Sequence, residues 1–386
     1  MTASPAASPW HQEWFPIHGA AYLNTAAQSA MPRVAQDAVQ IALDAKRYPH
    51  HQSDAVWFDL TTRLRQSLSK LINAVPEEIA LTTGASTGLQ AVAHGLTWAP
   101  GDEILTAEAE FPIQYSTWQP MKAREGVTLK AVRPQGPFVT ADDLVAAMTP
   151  RTRLVSVSHV RFDDGSLLDA SRVATACRER GALFVLDVTQ SCGAMPLDVR
   201  ELGADFLVCA GYKWLLSPYG TGFFWAKREH VSTLRPGPFY WMGQDGDSFP
   251  NLNMVDPTPA QSARRFDVPE AASCFNLNLT AMEASAAFVA RVSPEVVRDH
   301  NRRLIAYLFA HLPDGLTPAS PLDPAQRGPY GCFVAPTSER TVALHQKLRQ
   351  ENVFVALRNG RIRVSPHLFN SERDIDRLIS VAKEFL

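Results

Sequence analysis

The chain has 386 residues, 46% of them hydrophobic, which is enough to bury a large core and long enough for two domains. Its 37 basic and 39 acidic residues leave a formal charge of −2 with no long block of either sign, so composition gives no electrostatic case for nucleic acid or an anionic membrane surface. No apolar run approaches the roughly 20 residues that cross a bilayer, and no membrane partner is expected.

In chain order, residues 1–9 are rich in Ala, Ser and Pro and lack the basic and apolar regions of a signal peptide, so 1–20 is expected to be a tail or arm. From residue 79 onward, β-rich runs alternate with helical patterns. Strands are expected over 79–82, 103–106, 128–131, 154–158, 183–186, 206–208 and 222–225. Helices are expected over 87–96, 114–124, 141–148 and 170–180. This alternation implies an α/β fold around a mostly parallel sheet covered on both faces. Ligands of such sheets gather beyond the carboxyl ends of the strands, where Gly84, Ser158-His159 and Asp187 fall.

Beyond Arg235 the texture changes. Residues 236–259, rich in Pro, Gly, Asn and Asp, read as a long functional loop or crossover. Helical patterns follow over 280–292 and after Ser293-Pro294. The last part alternates strand and helix over 332–335, 339–350, 361–365 and 372–385, a small α+β unit. The expected division is an arm 1–20, a large domain 21–265 and a small domain 266–386. The five cysteines (177, 192, 209, 274 and 332) are scattered and form no CxxC pair, so they read as small buried hydrophobes in a reducing, cytoplasmic setting. His50-His51 has no third ligand at metal spacing, and no metal is expected.

Four features carry chemistry. Gly84-Ala85-Ser86-Thr87-Gly88 leads from a strand into a helix, where backbone N–H groups and the Ser86 and Thr87 hydroxyls suit a phosphate. The same residues also suit an ordinary helix start, and they match neither dinucleotide nor P-loop glycine patterns. Asp187 ends an apolar strand; its carboxylate either faces a cation, such as a protonated pyridine nitrogen, or caps the next turn. Gln190 lies three residues on, a donor for a phenolic oxygen or a surface glutamine. Lys213 stands in Ala210-Gly211-Tyr212-Lys213-Trp214-Leu215-Leu216, where desolvation would lower its pKa and make its amine nucleophilic toward an aldehyde.

Together these residues resemble the class V aminotransferase group of fold-type I pyridoxal phosphate enzymes, which includes cysteine desulfurases, selenocysteine lyases, isopenicillin N epimerase-like proteins and kynureninase. The likeness runs from Ala21-Tyr22-Leu23-Asn24 to Arg363-Val364-Ser365-Pro366-His367, anchored by Asp187-Val188-Thr189-Gln190 and Gly211-Tyr212-Lys213-Trp214. It implies a mostly parallel seven-stranded sheet with helices on both faces, plus a smaller α+β C-terminal domain. It further implies that Lys213 condenses with the cofactor aldehyde, that Asp187 partners the pyridine nitrogen and that Gln190 partners the phenolic oxygen. Ser86, Thr87 and Tyr212 match phosphate positions, Phe111 the residue stacked on the ring, and Arg363 the grip on the substrate carboxylate. The alternative for Arg363 is a charged edge strand.

The chain also departs from that group. No cysteine lies between Cys332 and Arg363, which argues against persulfide chemistry. Phe162 stands where relatives carry asparagine, and Asp163-Asp164-Gly165 after it either supplies a different polar group or, the favoured reading, forms a solvated turn. Arg264-Arg265-Phe266 lacks the Gly-Thr element that relatives donate across a dimer, and Ala210 replaces a serine. Trp241 reads as a packing residue. The resulting expectation is a cytoplasmic homodimer using pyridoxal phosphate to transaminate a small amino acid, with a keto acid as co-substrate. A Cβ–S/Se lyase or epimerase is the alternative, and a non-catalytic binding protein of the same fold is the rival from another class.

Overall fold

The computed structural model describes residues 8–14, 19–51, 53–237, 241–245, 258–272 and 277–386. Most of the expected 236–259 loop and Cys274 lie outside them. The strands in chain order begin with β1 (Ala21–Tyr22), β2 (Ile79–Thr82), β3 (Glu103–Ala107), β4 (Thr128–Val132), β5 (Thr152–Ser158), β6 (Leu183–Asp187), β7 (Phe206–Ala210) and β8 (Gly222–Ala226). They continue with β9 (Thr317–Pro318), β10 (Gly331–Val334), β11 (Val353–Phe354), β12 (Ala356–Arg358) and β13 (Arg361–Val364).

Seven strands form the large sheet in the order β2-β8-β7-β6-β5-β3-β4. The pairs from β7 through β4 are parallel, and β8 is antiparallel to both its neighbours. Side chains alternate between two apolar clusters: Leu105, Val155, Phe184, Leu186 and Leu207 enter one, and Ile104, Leu154, Val185, Phe206 and Val208 the other. Both faces are therefore covered, as near-continuous apolar strands require. Gly222 is needed where β8 passes the turn after β2, because a Cβ there would meet the Cys209 carbonyl oxygen at 2.4 Å and Gly84 Cα at 2.7 Å.

Each expected strand of this sheet forms, shifted by no more than two residues at either end. The expected helix 114–124 resolves into Ile113–Ser116 and Gln119–Glu125, the second starting with Pro120 in its first turn. Two further helices, Arg33–Arg47 and Asp54–Ile72, pack on Leu277–Val292. The stripe Leu60, Leu64, Leu68 and Leu71 is buried at the spacing that marks a core-facing helix.

The second sheet is antiparallel, in the order β12-β13-β10-β9. Its strand β13 is paired on both sides, so Arg363 does not sit on an edge. β1 pairs in parallel with β11, and Ala21 and Leu23 join the apolar cluster of Phe333, Ile362 and Val364. Within the expected arm, Trp14 is buried edge-on to Phe288 and donates through Nε1 to the Ala30 carbonyl. Among the described residues no helix is long and apolar enough to cross a membrane.

Candidate active site

A cleft opens beyond the carboxyl ends of the large sheet, lined by Thr83, Ser86, Phe111, Phe162, Asp187 and Lys213 among others. Its placement follows from topology, since parallel strands deliver their C-termini to one side.

Lys213 follows β7 and is 6% exposed. Its Nζ lies 5.2 Å from the Phe111 ring centroid and 5.5 Å from that of Tyr212, with no ion pair to a described residue. Burial, reinforced by Arg363, lowers its pKa to about 8 against the opposing pull of Asp187. Its own segment holds no other cation; Arg363 arrives from β13. The turn behind the lysine is tight, because Leu216 adopts φ 57°, donates to the Lys213 carbonyl at 3.0 Å and accepts from Ser285 Oγ at 3.0 Å. A leucine in that region costs about 1–3 kcal/mol, which the surrounding packing must offset.

Asp187 ends β6 and is buried. Its Oδ1 accepts the Thr189 N–H at 2.8 Å, the turn-capping bond, and burial raises its pKa despite that bond and the Lys213 charge. Capping therefore occurs, but the carboxylate keeps acceptor capacity facing the cleft. Gln190 is buried, not a surface glutamine: its Oε1 accepts from Trp214 Nε1 at 2.9 Å and its Nε2 donates to the Ala26 carbonyl at 3.0 Å, leaving one amide hydrogen for the cleft it lines.

Ser86 is exposed on the cleft wall at the start of helix Ala85–Gly95. Thr87 behaves differently, because its hydroxyl donates to the Gly84 carbonyl at 2.8 Å and its side chain borders a separate cavity beside Gln90 and His94. The expected Thr87 hydroxyl donor is thus engaged by the turn itself. Phe111 stands at the mouth, 39% exposed, edge-on to Phe162 at 5.4 Å. Tyr212 lines the cleft and stacks on Tyr219 at 4.0 Å, with burial raising its pKa to about 12. His159 turns away toward Ser191 Oγ at 3.0 Å and is buried, its pKa lowered by desolvation to about 4.

Arg363 is 1% exposed. Its Nη1 donates to the Phe162 carbonyl at 2.6 Å, while Nε and Nη2 are buried without a partner. A buried guanidinium with unused donors is costly unless an anion completes it. The loop it touches is not a solvated turn: Asp163 and Asp164 are 3% and 4% exposed. They are buried because partners hold them, Asp163 with Arg161, Asn359 and Arg361, and Asp164 with the Ser166 N–H at 2.7 Å.

Sequence reasoning passed over Glu110. Its carboxylate accepts the Ser158 N–H at 2.9 Å, Ser158 Oγ at 2.8 Å and the Phe111 N–H at 3.2 Å, with Arg161 at 3.8 Å. Burial raises its pKa. The available signal was weak: one acid between a strand and Phe111-Pro112.

A partly neutral amine, a buried acceptor-rich carboxylate, a helix start with a free hydroxyl and an aromatic lid fit pyridoxal phosphate, whose aldehyde, ring nitrogen, phosphate and ring face need those four things. Comparison with known proteins agrees. The family described as Aminotransferase class-V matches residues 21–378. The chain is 28% identical over 384 residues to isopenicillin N epimerase of Amycolatopsis lactamdurans, covering 94% of each. It is 26% identical to the uncharacterized aminotransferase YcbU of Bacillus subtilis, covering 92% of each. Among solved structures it resembles a mutant of C-DES with glycine covalently linked to the PLP cofactor, at TM-score 0.86 and 25% identity over 98% of this chain and 99% of that one. A complex of the cystine C-S lyase C-DES with its product cysteine persulfide matches at TM-score 0.83 and 25% identity, covering 94% of this chain and 97% of that one. The chain belongs to the class V aminotransferase family and is a pyridoxal-phosphate-dependent enzyme.

Proposed function

We propose that this protein is an aminotransferase acting at Cα of a small amino acid, with a keto acid as acceptor, as a cytoplasmic homodimer. Its cofactor would be held by Lys213 at the aldehyde carbon, Asp187 at the ring nitrogen, Gln190 at the phenolic oxygen, Phe111 on the ring face, and Ser86, the Thr87 backbone and Tyr212 around the phosphate. The observation that carries the reading is that the Lys213 amine and the Asp187 carboxylate line one cleft, with Arg363 near enough to help lower the lysine's pKa and two of its donors left unpaired.

When bound, pyridoxal phosphate supplies an electron sink that acidifies the substrate Cα–H. Arg363 Nε and Nη2 take the substrate carboxylate as a fork, orienting that C–H bond toward Lys213. Lys213 Nζ, with a pKa of about 8, accepts the Cα proton and returns it. Asp187 keeps positive charge on the ring side of the site, and Phe111 with Phe162 limits water. Among the described residues, the titratable side chains lining the cleft besides Lys213 are Asp187 and Tyr212, and burial keeps the Tyr212 phenol protonated near neutrality. A proton carrier on one face suits transfer from Cα to the carbon on the far side of the substrate nitrogen, whereas inversion needs delivery to the opposite face of Cα.

The relationship to isopenicillin N epimerase, and to C-DES, keeps epimerase and lyase outcomes as the second reading. Loaded protein incubated with an amino-acid panel in deuterated water separates them. Keto-acid-dependent amino transfer supports the proposal; sulfur or ammonia release, or inversion without net product, replaces it with the second reading. Retention of every Cα proton would indicate a binding protein.

A further inference from the structure

Asp163 has no task in the scheme above, yet it is among the most heavily engaged buried groups. Arg161 Nη2 donates to it at 3.3 Å from its own loop, and Asn359 Nδ2 and Arg361 Nη1 donate at 2.9 and 3.2 Å from the β12–β13 hairpin. That hairpin closes through Asn359-Gly360, with φ 44° and 75°, a tight turn of the kind Asn-Gly favours. It also presents Arg363, two residues beyond Arg361 and hence on the same face of β13.

The loop after β5 therefore grips the hairpin twice at adjacent residues. The Phe162 carbonyl takes Arg363 Nη1, and the Asp163 carboxylate takes Arg361 and Asn359. The first contact is a single hydrogen bond to a guanidinium that also lies over the Tyr330 ring, 5.3 Å from its centroid; the second fixes the strand that presents it. The charges agree with this picture. Arg161, Arg358, Arg361 and Arg363 crowd one region, and Asp163 ion-pairs with one from each side, Arg161 and Arg361. Arg161 also meets Glu110 at 3.8 Å and Asp164 at 3.9 Å, so Asp163 is the anion that joins this loop to Arg361 on the hairpin.

We propose that Asp163 is a positioning residue for substrate binding: it clamps the β12–β13 hairpin to the loop after β5 and so aims the Arg363 guanidinium at the substrate carboxylate. The inference rests on the reading of Arg363 as the carboxylate grip. Propionate, a carboxylate with no amine to react, titrated calorimetrically into the loaded protein, tests both separately.

Wild type should bind propionate, and Arg363→Gln should lose that binding. Asp163→Asn, which keeps volume and removes charge, should raise the propionate Kd and the amino-acid KM about tenfold while kcat changes by no more than about twofold. In an Arg363→Gln background it should raise KM no further, because the two act as a unit. Asn359→Ala, on the exposed hairpin turn, removes one bond of the clamp without threatening the fold and should raise Kd about threefold. An unchanged propionate Kd in folded Asp163→Asn and Asn359→Ala, even with lowered melting temperature, overturns the proposal, as do effects that multiply in the double variant. If Arg363→Gln leaves propionate binding intact, the carboxylate reading fails and this inference goes with it.

Discussion

Two buried carboxylates at the same end of neighbouring strands have opposite surroundings. Asp163, in the loop after β5, accepts from two arginines and an asparagine amide. Asp187, at the end of β6, accepts from Thr189, makes no ion pair with a described residue and has its pKa raised by burial. The arginines repeat the contrast: Arg361 is paired with Asp163, while Arg363 keeps two donors unused. A buried charge whose partners are complete belongs to the fold, and one left short of partners is held for something that arrives. Asp163, in the joint between the two sheets, is of the first kind, and Asp187, in the cleft at the large sheet, is of the second.

The contrast breaks most visibly at Lys213. Lys213→Ala should cost about 10³-fold or more in turnover, and the loaded protein should lose its visible absorbance; retained turnover would remove the lysine from the chemistry. Next in size is a pair of stability measurements on cofactor-free protein. Asp163→Asn should lose about 2 kcal/mol, because it takes a charged partner from buried Arg161 and half-buried Arg361. Asp187→Asn should be neutral or stabilising in the same denaturant titration, because it removes a carboxylate that burial already disfavours. Equal losses in the two variants would mean that both carboxylates serve the fold alike.

The smallest effect lies in pH. Lys213 is shifted down, so its neutral form grows as pH rises through about 8, not through the ordinary lysine range. The rate at which cofactor-free protein takes up pyridoxal phosphate, followed by stopped-flow absorbance, should rise with pH around that midpoint. Arg363→Gln removes a like charge that helps hold the amine down, so the midpoint should move upward. A midpoint that stays put would place Arg363 too far away to act on the lysine.

Much of this site was legible along the chain because its signals are local. The apolar run into Asp187 and the aromatic, glycine-rich segment around Lys213 each place one ionisable group where a strand ends, and the strand pattern marks that end. Other residues misled for an equally physical reason. Thr87 offers a hydroxyl by type, but the preceding turn presents the Gly84 carbonyl to it first. Asp163-Asp164-Gly165 has a turn's composition, and its burial depends on Asn359 and Arg361, nearly two hundred residues away. Glu110 gave almost no sign, since Ser158 and Arg161 reach it from another strand end.

The sequence by itself determined the alternation of strands and helices, the sidedness of each strand and the identity of the groups at strand ends, because these follow from neighbours a few residues apart. Only the tertiary structure decided which charges are neutralised and which are left waiting. Pairing and desolvation depend on what β12, β13 and the loop after β5 bring together across the chain, and no local pattern encodes a distance between segments so far apart.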